Sequence, residues 1–101
     1  MVSWDLKDRI ESDRDLFVLD VRQPQEWVDG HIEGARHITG AELPQRLKEV
    51  PKDRPVAVVC GSGYRSSVSS SLLASRGYKN IANVLGGMSA WKLAELPTTG
   101  K

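Results

Sequence analysis

The 101 residues carry 14 Lys+Arg against 13 Asp+Glu, 40% apolar side chains, nine Gly, five Pro and one Cys. That length suits one domain over residues 1–101, with room for a single layered core and not for two catalytic units. Balanced, interspersed charge excludes the basic stripe that nucleic acid or an anionic membrane demands, and a lone Cys excludes an intramolecular disulfide or a clustered zinc site. Met1-Val2-Ser3-Trp4-Asp5 lacks a basic-then-apolar leader pattern, and no run approaches about eighteen apolar residues, so a soluble, cytoplasmic protein is expected.

In chain order, Trp4, Leu6 and Ile10 predict an N-terminal helix, and the apolar run Leu16-Phe17-Val18-Leu19, too short for a helix, predicts a strand. Pro24 to Asp29 reads as a short helix opened by proline, and Ala35 to Ile38 as a second strand. Leu43, Leu47 and Val50, spaced by four and three, predict a helix ended by Pro51 and Pro55. Val56-Ala57-Val58-Val59 has the unbroken apolar character of a strand covered on both faces. Val68, Leu72 and Leu73 predict the inward stripe of a helix over about 65–76, stopped by Gly77 and holding six serines that are mediocre helix formers. Ile81 to Leu85 predicts a fourth strand and Met88 to Glu95 a last helix, with Thr98 to Lys101 untethered. Alternating strands and helices predict an α/β fold around a mainly parallel sheet.

The stretch Val58-Val59-Cys60-Gly61-Ser62-Gly63-Tyr64-Arg65-Ser66 holds the most chemistry. A strand ends on Cys60 and a helix begins near Arg65, which places the thiol where open parallel sheets collect their sites. The glycines let the backbone curl so that several N–H groups converge on one anion, and the helix dipole adds to this cradle. Cys60 is then expected to be a thiolate near neutral pH. Arg65 either adds its charge or locks the loop through its carbonyls, Tyr64 lines the pocket or packs, and Ser66 turns to the loop or caps the helix. A free Cys at the end of a core strand also fits as a small buried hydrophobe, but the Gly-rich tail has no evident packing purpose.

Outside the loop, Asp20 is expected to bond the turn around Arg22, and Arg22 to pair with Glu26 four residues on. Both are candidates for pocket support. His31 and His37 lack metal-ligand spacing and are expected in turn or surface roles. Trp4, Trp27 and Trp91 are expected to pack in the core or cover its edges. No metal or cofactor is implied.

Four features in order complete the pattern: Asp20-Val21-Arg22 with Glu26-Trp27, Gly30-His31-Ile32-Glu33-Gly34-Ala35, Cys60 and Arg65 with four residues between, and Leu85-Gly86-Gly87 with Trp91. Together, over about 16–97, they resemble the single-domain rhodanese family. The resemblance implies a three-layer fold with a five-stranded parallel sheet flanked by helices, and a sulfurtransferase in which Cys60 takes a sulfane sulfur, holds it as a persulfide and passes it to cyanide, a thiol or sulfite. The loop N–H groups of Gly61, Ser62, Gly63, Tyr64, Arg65 and Ser66 would stabilise thiolate and persulfide. Phosphatase and arsenate-reducing cousins place five residues between Cys and Arg, so the four here favour sulfur over phosphate. Many thiosulfate-using members carry Arg or Lys directly after the cysteine. Gly61 stands there instead, making thiosulfate the less favoured donor. The loop looks most like rhodanese modules of persulfide dioxygenases, implying glutathione persulfide or a similar small donor, and association with a persulfide-metabolising enzyme. A catalytically idle docking module is the alternative from another class; the retained Cys60 and Arg65 argue against it.

Overall fold

The computed structural model describes residues 1–13, 15–61 and 64–100, Tyr64 by its backbone alone. Four strands form one parallel sheet: β1 (Phe17–Asp20), β2 (Arg36–His37), β3 (Val56–Val59) and β4 (Ile81–Asn83), in spatial order β2-β1-β3-β4. The fifth strand implied by the family resemblance is not found among the described residues. The residues themselves carried four apolar runs, and each is a strand, β4 ending at Asn83 so that Leu85 lies exposed beyond it.

Helices α1 (Ser3–Ser12), α2 (Pro24–Val28), α3 (Tyr64–Ser75) and α4 (Gly87–Leu93) complete the fold. The helix predicted around Leu43, Leu47 and Val50 is two 3₁₀ turns, Leu43–Gln45 and Leu47–Glu49, closed by i→i+3 bonds such as Arg46 N to Leu43 O and Val50 N to Leu47 O. Apolar spacing of this kind serves both forms, because either one turns Leu43 and Val50 inward.

β3 is buried at all four positions, and its side chains alternate between two cores. Val56, Val58 and Cys60 join Leu19, Val21, Ile38, Leu43 and Leu73 on one face. Ala57 and Val59 join Leu6, Val18, Val84, Met88 and Trp91 on the other. Each buried aliphatic side chain contributes about 1.5–3 kcal/mol relative to exposure, so β3 is held from both sides and Cys60 faces the α3 side.

α3 buries only part of the stripe that apolarity predicted, with Leu73 inside and Leu72 packed against the core. Val68 is 60% exposed, while Ser66, Ser69 and Leu73 are buried, at i, i+3 and i+7. Small hydroxyl side chains let the helix lie close to the chain: the Ser69 Oγ stands only 3.6 Å from where a Cβ on Gly40 would sit. Trp91 is buried, but Trp4 is 56% exposed and covers little. Thr99 is tethered rather than loose, since His31 and Thr99 exchange both backbone bonds (2.8 and 2.7 Å) in an isolated bridge, and Lys101 lies outside the described residues.

Candidate active site

Cys60 follows β3 directly and has no exposed surface. Its carbonyl and that of Gly61 are fixed by the first turn of α4, through Met88 N to Cys60 O at 2.7 Å and Ser89 N to Gly61 O at 2.8 Å. This close approach explains Gly87, while a Cβ on Gly86 would instead meet the Ala90 Cβ at 2.6 Å. Gly87 has φ +51°, and a Cβ there would fall 2.2 Å from Cys60 O. Only glycine lets the two backbones meet.

On the other side, Cys60 Sγ lies 3.4 Å from Ser66 Oγ in the first turn of α3. The Ser66 hydroxyl donates to Asn83 Oδ1 at the end of β4, and Asn83 Nδ2 donates to Ser67 Oγ at 2.9 Å. With its proton on Asn83, Ser66 presents lone pairs to the sulfur, which suits a thiol donor; turning that proton to the sulfur would suit a thiolate. Of the two roles weighed for Ser66, the hydroxyl therefore takes the one facing the loop. The link of Asn83 to the sulfur through Ser66 has no signal in the sequence, where residue 83 is only a position in the run Ile81 to Leu85.

Arg65 binds no loop carbonyl among the described residues, and its charge, which Cys60 feels, is shared with a carboxylate. Its NH1 and NH2 bind Glu26 Oε1 and Oε2 at 2.7 and 2.9 Å, a two-pronged pair joining α3 to α2. Glu26 also accepts from Gln23 N at 3.0 Å, closing the start of α2. Arg65 above all, with the Gln23 N–H, holds the Glu26 carboxyl down at about 2. The pair passes over Gly61, where a Cβ would meet Arg65 NH2 at 2.8 Å and Glu26 Oε2 at 3.4 Å.

Glu26 being taken, Arg22 does not pair with it. Arg22 and Asp20, each 2% exposed, bind one another through Nε to both carboxylate oxygens (3.0 Å each) and NH2 to Oδ2 (2.8 Å), and Arg22 NH2 also reaches Gly30 O at 2.9 Å. Asp20 Oδ1 accepts from Arg22 N as well, so it does bond the turn as expected. Arg22 was expected four residues from its partner, but the helical spacing rule does not apply because α2 begins only at Pro24.

His31 is buried, not superficial. Trp27 stacks on His31 (centroids 3.5 Å, 5°) and on His37 (4.9 Å, 18°). Since a carbonyl only accepts, His31 Nδ1 donates to Trp27 O (2.8 Å) and His37 Nε2 to Arg22 O (2.7 Å). His37 thus braces the turn that carries Arg22, and His31 the end of α2. No metal-ligating cluster occurs among the described residues. Of the loop, Ser62, Gly63 and the Tyr64 side chain lie outside the described residues.

A cleft of about 170 Å³ opens beside Gly61, reaching from Glu26 and Arg22 to Met88 and Lys92. A larger one of about 400 Å³ lies among residues that precede β3 and β4, including Leu47, Lys52 and Tyr78, and Cys60 does not line it. No described helix is long and apolar enough to cross a membrane.

The model of the rhodanese-like domain family matches residues 4–94. The putative sulfurtransferase YtwF of Bacillus subtilis (strain 168) is 38% identical over 87 residues, which is 86% of this chain and 84% of that protein. The thiosulfate sulfurtransferase GlpE of Vibrio cholerae serotype O1 is 32% identical over 84 residues, 83% of this chain and 79% of its own. Among solved structures, a rhodanese-related protein from Thermoplasma volcanium superposes with a TM-score of 0.92 at 32% identity, covering 100% of this chain and 97% of that one.

Proposed function

This chain belongs to the rhodanese-like domain family, and from that premise we propose that it is a sulfurtransferase whose sulfur carrier is Cys60. The Cys60 thiolate attacks the outer sulfur of a donor RSSH; a new S–S bond forms, the donor S–S bond breaks, and RS⁻ leaves with the electron pair and takes up the proton. Cys60 now bears a persulfide. A nucleophile such as cyanide, a thiol or sulfite attacks its terminal sulfur and restores the thiolate, so the cycle is redox-neutral and needs no cofactor. With no second Cys in the sequence, discharge falls to an outside acceptor.

The observation that supports this reading most is the placement of Cys60: immediately after β3, its carbonyl held by α4, and its sulfur on Ser66 at the mouth of a loop with four residues before Arg65. In this proposal the N–H groups of residues 61–66 receive the sulfur anion, and the Asp20–Arg22 pair supports the turn behind the pocket. Small persulfides are the favoured donors over thiosulfate, because Gly61 offers no cation and the space above it is filled by Arg65 and Glu26. The naming of the Vibrio relative makes thiosulfate the donor to compare. Incubation with glutathione persulfide and with thiosulfate, followed by intact mass and thiocyanate release, tests the proposal. One added sulfur on Cys60, absent from Cys60→Ser, is expected; no addition from either donor refutes it.

A further inference from the structure

The cavity of about 400 Å³ lies where β3 and β4 begin, at the opposite end of the sheet from Cys60, and it joins a fixed apolar floor to a rim of one charge sign. Tyr78 is buried, and its hydroxyl is anchored between Val50 O at 2.6 Å and Leu47 O at 2.9 Å, so its ring forms one firm surface with Leu47 and Val50. Lys48, Lys52 and Arg76 complete the lining, and none of the lining residues is acidic. The Lys52 ammonium stands 5.3 Å from the centre of the Tyr78 ring and 3.6 Å from where a Cβ on Gly77 would sit, beside the end of α3. None of the three cations forms an ion pair with a described residue. Glu49, next to Lys48 in the chain, is taken by Arg36 and Arg46, and Asp53 does not line the cavity. The last carbonyls of a helix are the usual acceptors for cations so placed. Here they are already used: Leu73 O by Arg76 N and Tyr78 N, Ala74 O by Gly77 N, and Leu72 O by the Ser75 hydroxyl.

We propose that this cavity binds a small organic phosphate with a planar apolar body, the chemistry of a nucleoside phosphate. The planar body lies on Tyr78, Leu47 and Val50, and the phosphate oxygens meet Lys48, Lys52 and the Arg76 guanidinium. Three like charges over an apolar floor, with no counter-charge, create a positive field that a ligand of two or more negative charges relieves. The guanidinium fork and the two ammonium groups match phosphate oxygens. A volume of about 400 Å³ falls in the range of roughly 300–1,000 Å³ that small-molecule sites occupy. Bare phosphate would use the cations and leave the apolar floor wet, whereas an uncharged nucleoside would leave the cations unmatched. The site is separate from Cys60 and does not depend on the sulfur-transfer reading.

The test titrates ATP, adenosine and pyrophosphate into wild type, Lys52→Glu and Arg76→Glu at about 0.15 M salt, following amide signals by NMR and heat by calorimetry. Both positions are exposed, and equal melting temperatures confirm that folding is untouched. ATP is expected to bind wild type with Kd below about 1 mM, shifting the amides of residues 47–52 and 76–78 and not those beside Cys60. Adenosine and pyrophosphate, each with half of the contacts, should bind about tenfold more weakly, and each charge reversal should weaken ATP by about tenfold. Sulfur loading of Cys60 should be the same in both variants as in wild type. No ATP binding, pyrophosphate as tight as ATP, or a wild-type Kd in both variants overturns the inference and leaves sulfur transfer standing. Failure of every donor to load Cys60 overturns the sulfur-transfer reading and leaves this one standing.

Discussion

Gly87→Ala is expected to dislodge the Cys60 segment, and Gly34→Ala measures how much of the cost is backbone strain alone. Both glycines have left-handed φ, +51° and +86°. A Cβ on Gly34 meets nothing within 4 Å, whereas on Gly87 it falls 2.2 Å from Cys60 O and 2.9 Å from Cys60 C. For Gly34→Ala the left-handed penalty of about 1–2 kcal/mol is partly offset by a stiffer unfolded chain, leaving about 1 kcal/mol. Gly87→Ala carries the same amount and more. Carbon and oxygen settle at about 3.3 Å, so the Cys60 carbonyl must withdraw by about 1 Å, beyond the reach of the 2.7 and 2.8 Å bonds from Met88 and Ser89. Two such bonds are worth about 0.5–1.5 kcal/mol each. The total is about 2–4 kcal/mol, a large share of the ~5–15 kcal/mol that holds a domain folded. Urea denaturation should show a lower midpoint at constant slope for Gly87→Ala, together with altered alkylation of Cys60 by iodoacetamide in the folded protein. Equal losses for the two variants would show that the α4 contact does not hold the Cys60 backbone.

Asp20→Ala leaves Arg22 buried without its counter-charge and is expected to lose about 3–5 kcal/mol; a denaturation midpoint close to wild type contradicts the pairing. Glu26→Gln bears on acid stability. A carboxyl held at about 2 in the fold and near 4.5 when unfolded binds fewer protons folded, so its contribution is full above pH 4.5 and disappears as pH falls toward 2. Glu26 is 38% exposed, so solvent screening limits this to under about 1 kcal/mol, and a flatter stability slope over that window is expected in Glu26→Gln; an unchanged slope speaks against the bond to Arg65. Asn83→Ala frees the Ser66 proton to turn to the sulfur, and should speed Cys60 alkylation at fixed pH by roughly two- to tenfold. Slower alkylation would mean that Asn83 acts on Cys60 in some other way.

What was legible in the sequence was governed by local periodicity. β3 reads as an apolar run because both faces are covered, and its alternation carries Cys60 to the α3 side. α1, α2 and α4 were signalled by their own apolar and proline patterns. The misses are of two physical kinds. Ser66 and Ser69 face inward where Val68 was expected, because close approach and hydrogen bonding select small hydroxyls that hydrophobic periodicity cannot see. The Glu26–Arg65 pair joins residues 39 apart, and the Ser66–Asn83 bond residues 17 apart; no local rule reports such partners.

These long-range pairings change the meaning of the charges around Cys60. In the sequence, Arg22 read as the partner of Glu26, Arg65 as a cation for the anion cradle or a lock on its carbonyls, and Gly61 as a cation withheld. In the fold both arginines are committed, one to Asp20 and one to Glu26, and Gly61 is the space that lets the second pair cross the entrance. A donor entering beside Gly61 therefore meets no net positive wall. It meets two neutralised pairs and, at the far rim, one ammonium and one carboxylate. In the proposed sulfur transfer, attraction of the anion then falls to the backbone N–H groups beside Cys60 and the start of α3, and not to a free guanidinium at the entrance.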